Sequence, residues 1–126
     1  MSKRENPYAE LKQIFHEPNR LAIMSALCNS ERPLSFLELK LECNLTDGNL
    51  SRHLKALEDT KAIRIKKSFV RGKPLTTISL TDRGRDKFIE YLEALEEVLK
   101  RVAESLANQE KSAGSLPLSL AKLIEA

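Results

Sequence analysis

The sequence predicts a mainly α fold with a small β-hairpin, an α+β domain that runs into a long C-terminal helix. Three observations predict it. Leucine, isoleucine and alanine recur at spacings of three and four through much of the 126 residues. Between residues 62 and 80 the period falls to two. From Phe88 onward the apolar positions step by four and three, a heptad repeat. At 41% hydrophobic the chain can bury one core and is too short for two full domains. Aromatic residues make up 5% and Trp is absent, so that core is expected to be aliphatic.

A first helix is expected from Asn6, an N-cap, through Pro7 to Phe15, with Tyr8, Leu11 and Phe15 on one face. Pro18 opens a second, "PNRLAIMSALC", whose Leu21, Met24, Leu27 and Cys28 line one side, and "NSERP" ends it. "LSFLELKLEC" alternates as a strand would. Ser35 and Glu38 nevertheless form a capping box, and Phe36, Leu39 and Cys43 share a helical face, so a helix is expected there. Leu37 and Leu41 then make a second apolar strip that needs cover. Thr46 caps the next helix, which runs to about Asp59 with Leu50, Leu54 and Leu57 turned inward. The short connection makes these two a helix-turn-helix.

"AIRIKKSF" and "TTISL" then read as two strands, with the turn in "VRGKP". A long helix follows, capped by Thr81 or Asp82. Its seam is Phe88, Leu92, Leu95, Leu99, Val102 and Leu106, widened by Tyr91 and Val98. About 25 residues span roughly 37 Å, more than a small domain can cover. A homodimer interface of Phe88, Tyr91, Leu92, Leu95, Val98, Leu99 and Val102 is therefore expected. "KSAGS" breaks the helix, and "LPLSLAKLIEA" is an apolar tail expected to cover Leu37 and Leu41. The organisation expected is residues 1–80 as the helix-turn-helix with its hairpin, 81–110 as the dimerisation helix, and 111–126 as the tail.

The net charge of +3 is unevenly spread. Residues 44–75 hold eight basic and three acidic side chains, while the segments on either side are neutral or acidic. On the helix from Thr46, Arg52 lies opposite the leucines, Asn49 and Ser51 flank it, and Gly48 and Lys55 fall within the same outer arc. Arginine, asparagine and serine are side chains that read base edges or hold phosphates, and a helix N-terminus adds free N–H groups. Gly48 leaves room for close approach. Arg64, Lys66, Lys67, Arg71 and Lys73 of the hairpin extend the positive surface, and a turn on Arg71-Gly72-Lys73 suits a backbone or minor groove. Double-stranded DNA is the expected partner.

With two histidines, two isolated cysteines, no P-loop and no GxGxxG, neither an enzyme nor a cofactor is expected. His53 borders the core face of its helix and reads as a packed histidine. Cys28 and Cys43 read as buried free thiols of a reducing compartment. No apolar h-region and no apolar run of about 20 residues is present, so a cytoplasmic protein with no membrane partner is expected.

"NRLAIMSAL", "LTDGNLSRHLKALEDTKAI", "VRGKP" and "LTDRGRDKF" together resemble the winged-helix transcriptional regulators of the ArsR/MarR kind, over roughly residues 17–105. The resemblance implies a winged helix-turn-helix with a long C-terminal dimerisation helix, acting as a homodimer on successive major grooves of a pseudo-palindromic operator. It implies Thr46, Asn49, Ser51 and Arg52 as major-groove and phosphate contacts, and Arg71 and Lys73 as wing contacts. The chain departs from the metal-sensing branch. Cys43 stands alone, and the last helix has Asp82, Asp86, Glu90 and Glu93 without a His, so no metal is expected. A second reading, a winged helix used as an interaction module for an acidic protein partner, has less need of a basic hairpin. The residues name no small-molecule effector.

Overall fold

The structure, a computed structural model, describes residues 14–109 and 116–125. The helix expected from Asn6 to Phe15 lies outside them but for Ile14 and Phe15, which form a turn. The chain divides into two compact units, residues 13–89 and residues 1–12 with 90–126.

In the first unit, Pro18 starts α1 (Pro18–Asn29), and the Glu17 carboxylate caps it by accepting the Arg20 N–H at 2.8 Å. Ile23, Met24 and Leu27 are buried. Cys28 is exposed and Cys43 only half-buried; both are free thiols, so the burial expected of them is realised only in part. One residue past Leu27 the helix has turned by 100°, which carries Cys28 off the inner face. β1 (Leu34–Ser35) follows, then α2 (Phe36–Cys43). The capping box settles the ambiguity of this segment: Ser35 Oγ accepts the Glu38 N–H at 3.1 Å, and Glu38 Oε1 accepts the Ser35 N–H at 3.0 Å. Arg32 donates to the same carboxylate, and that contact brings the Glu38 pKa down to about 2. Leu39 is buried, whereas Leu37 and Leu41 are instead 60% and 71% exposed.

α3 (Asp47–Asp59) places Leu50, His53, Leu54 and Leu57 inward. β2 (Ile63–Val70) and β3 (Lys73–Leu80) pair antiparallel, and β1 adds to the free side of β3 through Leu34↔Ile78 and Ser35↔Thr77. The third strand was not expected, because two residues carry no periodicity of their own. α4 (Asp82–Ala107) begins against the sheet root. Thr81 Oγ1 accepts the Gly84 N–H at 2.9 Å and donates toward the Lys61 and Ala62 carbonyls at 2.7 and 3.0 Å. The approach is close enough that a Cβ on Gly84 would stand 1.9 Å from the Ala62 carbonyl oxygen, so only glycine fits. Phe15 meets Phe88 edge-on at 5.2 Å between ring centroids.

In the second unit, the rest of α4 buries Tyr91, Ala94 and Ala103 and exposes Leu92, Leu99 and Val102. α5 (Leu118–Glu125) is a short helix within what the sequence suggested only as a tail, and none of its residues is fully buried. Among the described residues, no helix is long and apolar enough to cross a membrane.

Candidate nucleic-acid interface

The turn between α2 and α3 is built to aim the second helix. Asn44 ends α2 in the left-handed region, φ 53°, which asparagine tolerates, and the Leu45 N–H returns to the Lys40 carbonyl at 3.1 Å. Lys40 Nζ reaches Asp47 at 2.8 Å across the turn and neutralises an acid at the start of α3. Thr46 Oγ1 caps α3 by accepting the Asn49 N–H at 3.2 Å. Its hydroxyl proton stays available to an outside acceptor.

Four leucine-phase positions point α3 inward, and the opposite arc is open. Gly48, Asn49, Ser51, Arg52 and Lys55 are all exposed. Arg52 Nη2 donates to Asn49 Oδ1 at 3.4 Å, a weak contact that groups the two side chains. Lys55 pairs with Asp59 at 3.1 Å, which offsets part of its charge. No internal atom lies within 4 Å of a Cβ placed on Gly48, so the fold itself makes no demand for glycine there.

His53 secures the inner side of the helix. It is buried, with Arg20 Nη1 at 3.2 Å from Nδ1, Asn19 Nδ2 at 3.5 Å from Nε2, and Glu17 Oε1 at 3.9 Å. A guanidinium only donates, so Nδ1 is the acceptor and the ring is neutral. Burial pushes the His53 pKa below its ordinary value; Glu17 opposes this, and Arg52 and Arg20 add to it. Arg20 also donates to the Ile14 carbonyl at 2.6 Å. The packed histidine thus ties α3 to the start of α1.

Strand alternation divides the wing. Ile63, Ile65, Lys67 and Phe69 share one face of the ladder with their partners Leu80, Ile78, Thr76 and Pro74; Arg64, Lys66, Ser68 and Val70 share the other with Ser79, Thr77, Leu75 and Lys73. Ile65, Lys67 and Thr76 line an open groove of about 720 Å³ together with Ser51, Leu54, Lys55 and Glu58 of α3 and Phe36 of α2. The side of the wing that faces α3 therefore carries Lys67, while Arg64, Lys66 and Lys73 lie on the reverse. The sequence names Lys67 only as one of five hairpin cations, without telling which side of the wing it takes. The signal was present, since Lys67 stands in phase with the buried Ile63. Arg71 and Gly72 form the turn with φ 54° and 78°, both left-handed, as a tight two-residue hairpin demands. Among the described residues, no group of three or more His, Cys, Asp or Glu is placed to hold a metal.

Residues 19–99 match the family model described as the winged helix DNA-binding domain. The chain belongs to this family. A relative, the uncharacterized protein MJ0432 of Methanocaldococcus jannaschii, is 37% identical over 90 residues, which is 71% of this chain and 97% of that one. A transcriptional regulator homologue from Pyrococcus horikoshii superposes with a TM-score of 0.69 at 28% identity, covering 76% of this chain and 96% of its own. The winged helix fold is also that of a MarR-family regulator from Silicibacter pomeroyi, with a TM-score of 0.56 at 18% identity over 97% and 77% of the two chains. S. aureus MepR, in its complex with DNA, gives a TM-score of 0.63 at 18% identity over 90% and 91%. The chain is thus a winged helix DNA-binding domain protein with a long C-terminal helix, a fold it shares with these regulators.

Proposed function

We propose that the chain is a homodimeric, sequence-specific regulator that sets residues 46–59 in the major groove of double-stranded DNA and the wing, residues 64–74, on the backbone or adjacent minor groove. One observation carries this reading: Ser51 and Lys55 of α3 and Lys67 of the wing line one groove, while Asn49 and Arg52 are exposed on the same helix and Arg71 on the wing turn. Arg52 and Asn49 supply bidentate donors and acceptors for base edges. Thr46 and the free N–H groups of the first turn take a phosphate, and the wing cations neutralise others and release counterions. The proposed contacts are Thr46, Gly48, Asn49, Ser51, Arg52, Lys55, Lys67 and Arg71, with Arg64, Lys66 and Lys73 meeting the backbone or contributing to the field from the reverse face. Relatives that carry regulator names, and MepR in its DNA complex, support the reading. Such a protein works in the cytoplasm.

The proposed dimer surface is Leu92, Leu99 and Val102 with the half-buried Leu95 and Val98. Phe88 and Tyr91 are 3% and 1% exposed in the single chain, so they are already spent on its own packing. Light scattering at micromolar concentration is expected to give a dimer; a monomer would remove this half of the reading.

The direct test selects genomic duplex fragments with the purified protein and follows the winners by fluorescence anisotropy against salt. An inverted repeat with a steep salt slope is expected. Arg52→Ala is expected to cost about 1 to 3 kcal/mol on that site and little on random duplex. Loss of no discrimination would exclude Arg52 as a base reader, and no enrichment at all would turn the basic face toward an acidic protein.

A further inference from the structure

The tip of the wing carries a feature that phosphate neutralisation does not use. Phe69, Val70 and Leu75 are 75%, 50% and 36% exposed, and Pro74 stands opposite Phe69 in the ladder. Four apolar residues thus gather where a hairpin end is usually polar. They are split between the two faces, Phe69 and Pro74 on one and Val70 and Leu75 on the other. A surface made to dock flat on a protein would gather them on one face; this arrangement gives an apolar point. Lys66, Lys67, Arg71 and Lys73 surround it, and no acidic residue lies between 62 and 81.

Resting on the DNA reading above, we infer that Phe69 is a wedge that enters the minor groove beside the α3 site and partly unstacks one base step. The surrounding cations favour a polyanion. A polyanion with an apolar interior reached between its charges is a duplex, whose stacked bases lie below the phosphate rims. Phe69 stands four residues beyond Ile65, which lines the groove against α3, and so lies about 13 Å further along the strand toward the tip. Unstacking costs least at flexible pyrimidine–purine steps, so the wedge selects such a step without any hydrogen bond to it and bends the duplex. Phe69 is thereby a specificity-determining residue, and Arg71 beside it holds the flanking phosphates or the groove floor.

The experiment uses the full chain and the duplex enriched by the selection, labelled with a dye pair at its ends and with 2-aminopurine placed in turn at each flanking step. The wild type is expected to shorten the end-to-end distance and to raise 2-aminopurine emission at one step. Phe69→Ala, at a side chain exposed enough to leave folding intact, is expected to abolish both signals and the preference for a pyrimidine–purine step, while Arg52-dependent binding persists. Phe69→Leu is expected to restore part of the bend. Arg52-dependent binding by the wild type with no bend and no change in emission would overturn the wedge and leave the DNA reading standing. Absence of Arg52-dependent duplex binding would remove both. Phe69-dependent sedimentation with phosphatidylserine vesicles, in place of bending, would assign the tip to a membrane surface and overturn the wedge.

Discussion

The two ends of the wing hairpin belong to one uninterrupted ladder, yet they are composed for different ends. At the root, Ile63 and Ile78 are buried, Ala62 is closed over by the first turn of α4, and Thr81 ties the helix start to two carbonyls. Every residue there gains from the fold. At the tip, Phe69 and Val70 stand in solvent and Arg71 takes a left-handed conformation that asparagine or glycine would adopt at lower cost. The tip gains little from the fold. Residues that fold stability would not choose mark the surface that meets something else.

The same contrast separates two glycines on helices. Gly84 is required by an internal backbone 1.9 Å from its missing Cβ, whereas Gly48 has nothing within 4 Å. Gly84→Ala should therefore give the largest loss, about 3 kcal/mol or more, because the atom in its way is backbone and cannot rotate aside. A lowered denaturation midpoint checks it, and an unchanged midpoint would mean that the α4 start is free to shift. Gly48→Ala should go the other way, raising stability by about 0.5 to 1 kcal/mol through helix propensity while weakening duplex binding. Stabilisation with undiminished affinity would take Gly48 out of the interface.

Arg71→Asn sharpens the wing comparison in the same manner. The hairpin should hold or gain a few tenths of a kcal/mol from the better turn residue. Anisotropy should nonetheless show weaker binding on all sequences and a salt slope smaller by about 1. A tip built only for folding would show the first effect without the second.

The smallest effect is in pH. His53 is held neutral in the fold with its pKa below the ordinary 6.5, so the unfolded chain takes up the proton first as pH falls. Its contribution to stability is complete above about pH 6.5 and declines as pH drops below that value. Urea midpoints at pH 7.5 and 5.5 should show the decline, and His53→Gln should reduce it. Glu38, with its pKa at about 2, acts in a separate and more acid window, below the ordinary carboxylate value of 4.5. An equal slope in His53→Gln would place the pH sensitivity elsewhere.

By itself the sequence determined those parts whose physics is local. The Ser35–Glu38 capping box chose helix over strand for residues 36–43, because two reciprocal hydrogen bonds three residues apart need no distant partner. The phase of Leu50, Leu54 and Leu57 set which arc of α3 is exposed, and the period change at Ile63 announced the wing. Even Lys67 on the α3 side was legible, as a matter of strand parity with Ile63. Tertiary structure alone decided the rest. β1 exists because β3 offers it an edge, not because Leu34 and Ser35 favour a strand. His53 is fixed by Arg20, more than thirty positions away in the chain. Phe88 lies in phase with Leu92 and Leu99 in the heptad repeat, but it packs on Phe15 while they remain exposed. Periodicity reports that a residue will be covered; only the assembled chain decides by what, because burial is a property of neighbours that sequence distance does not encode.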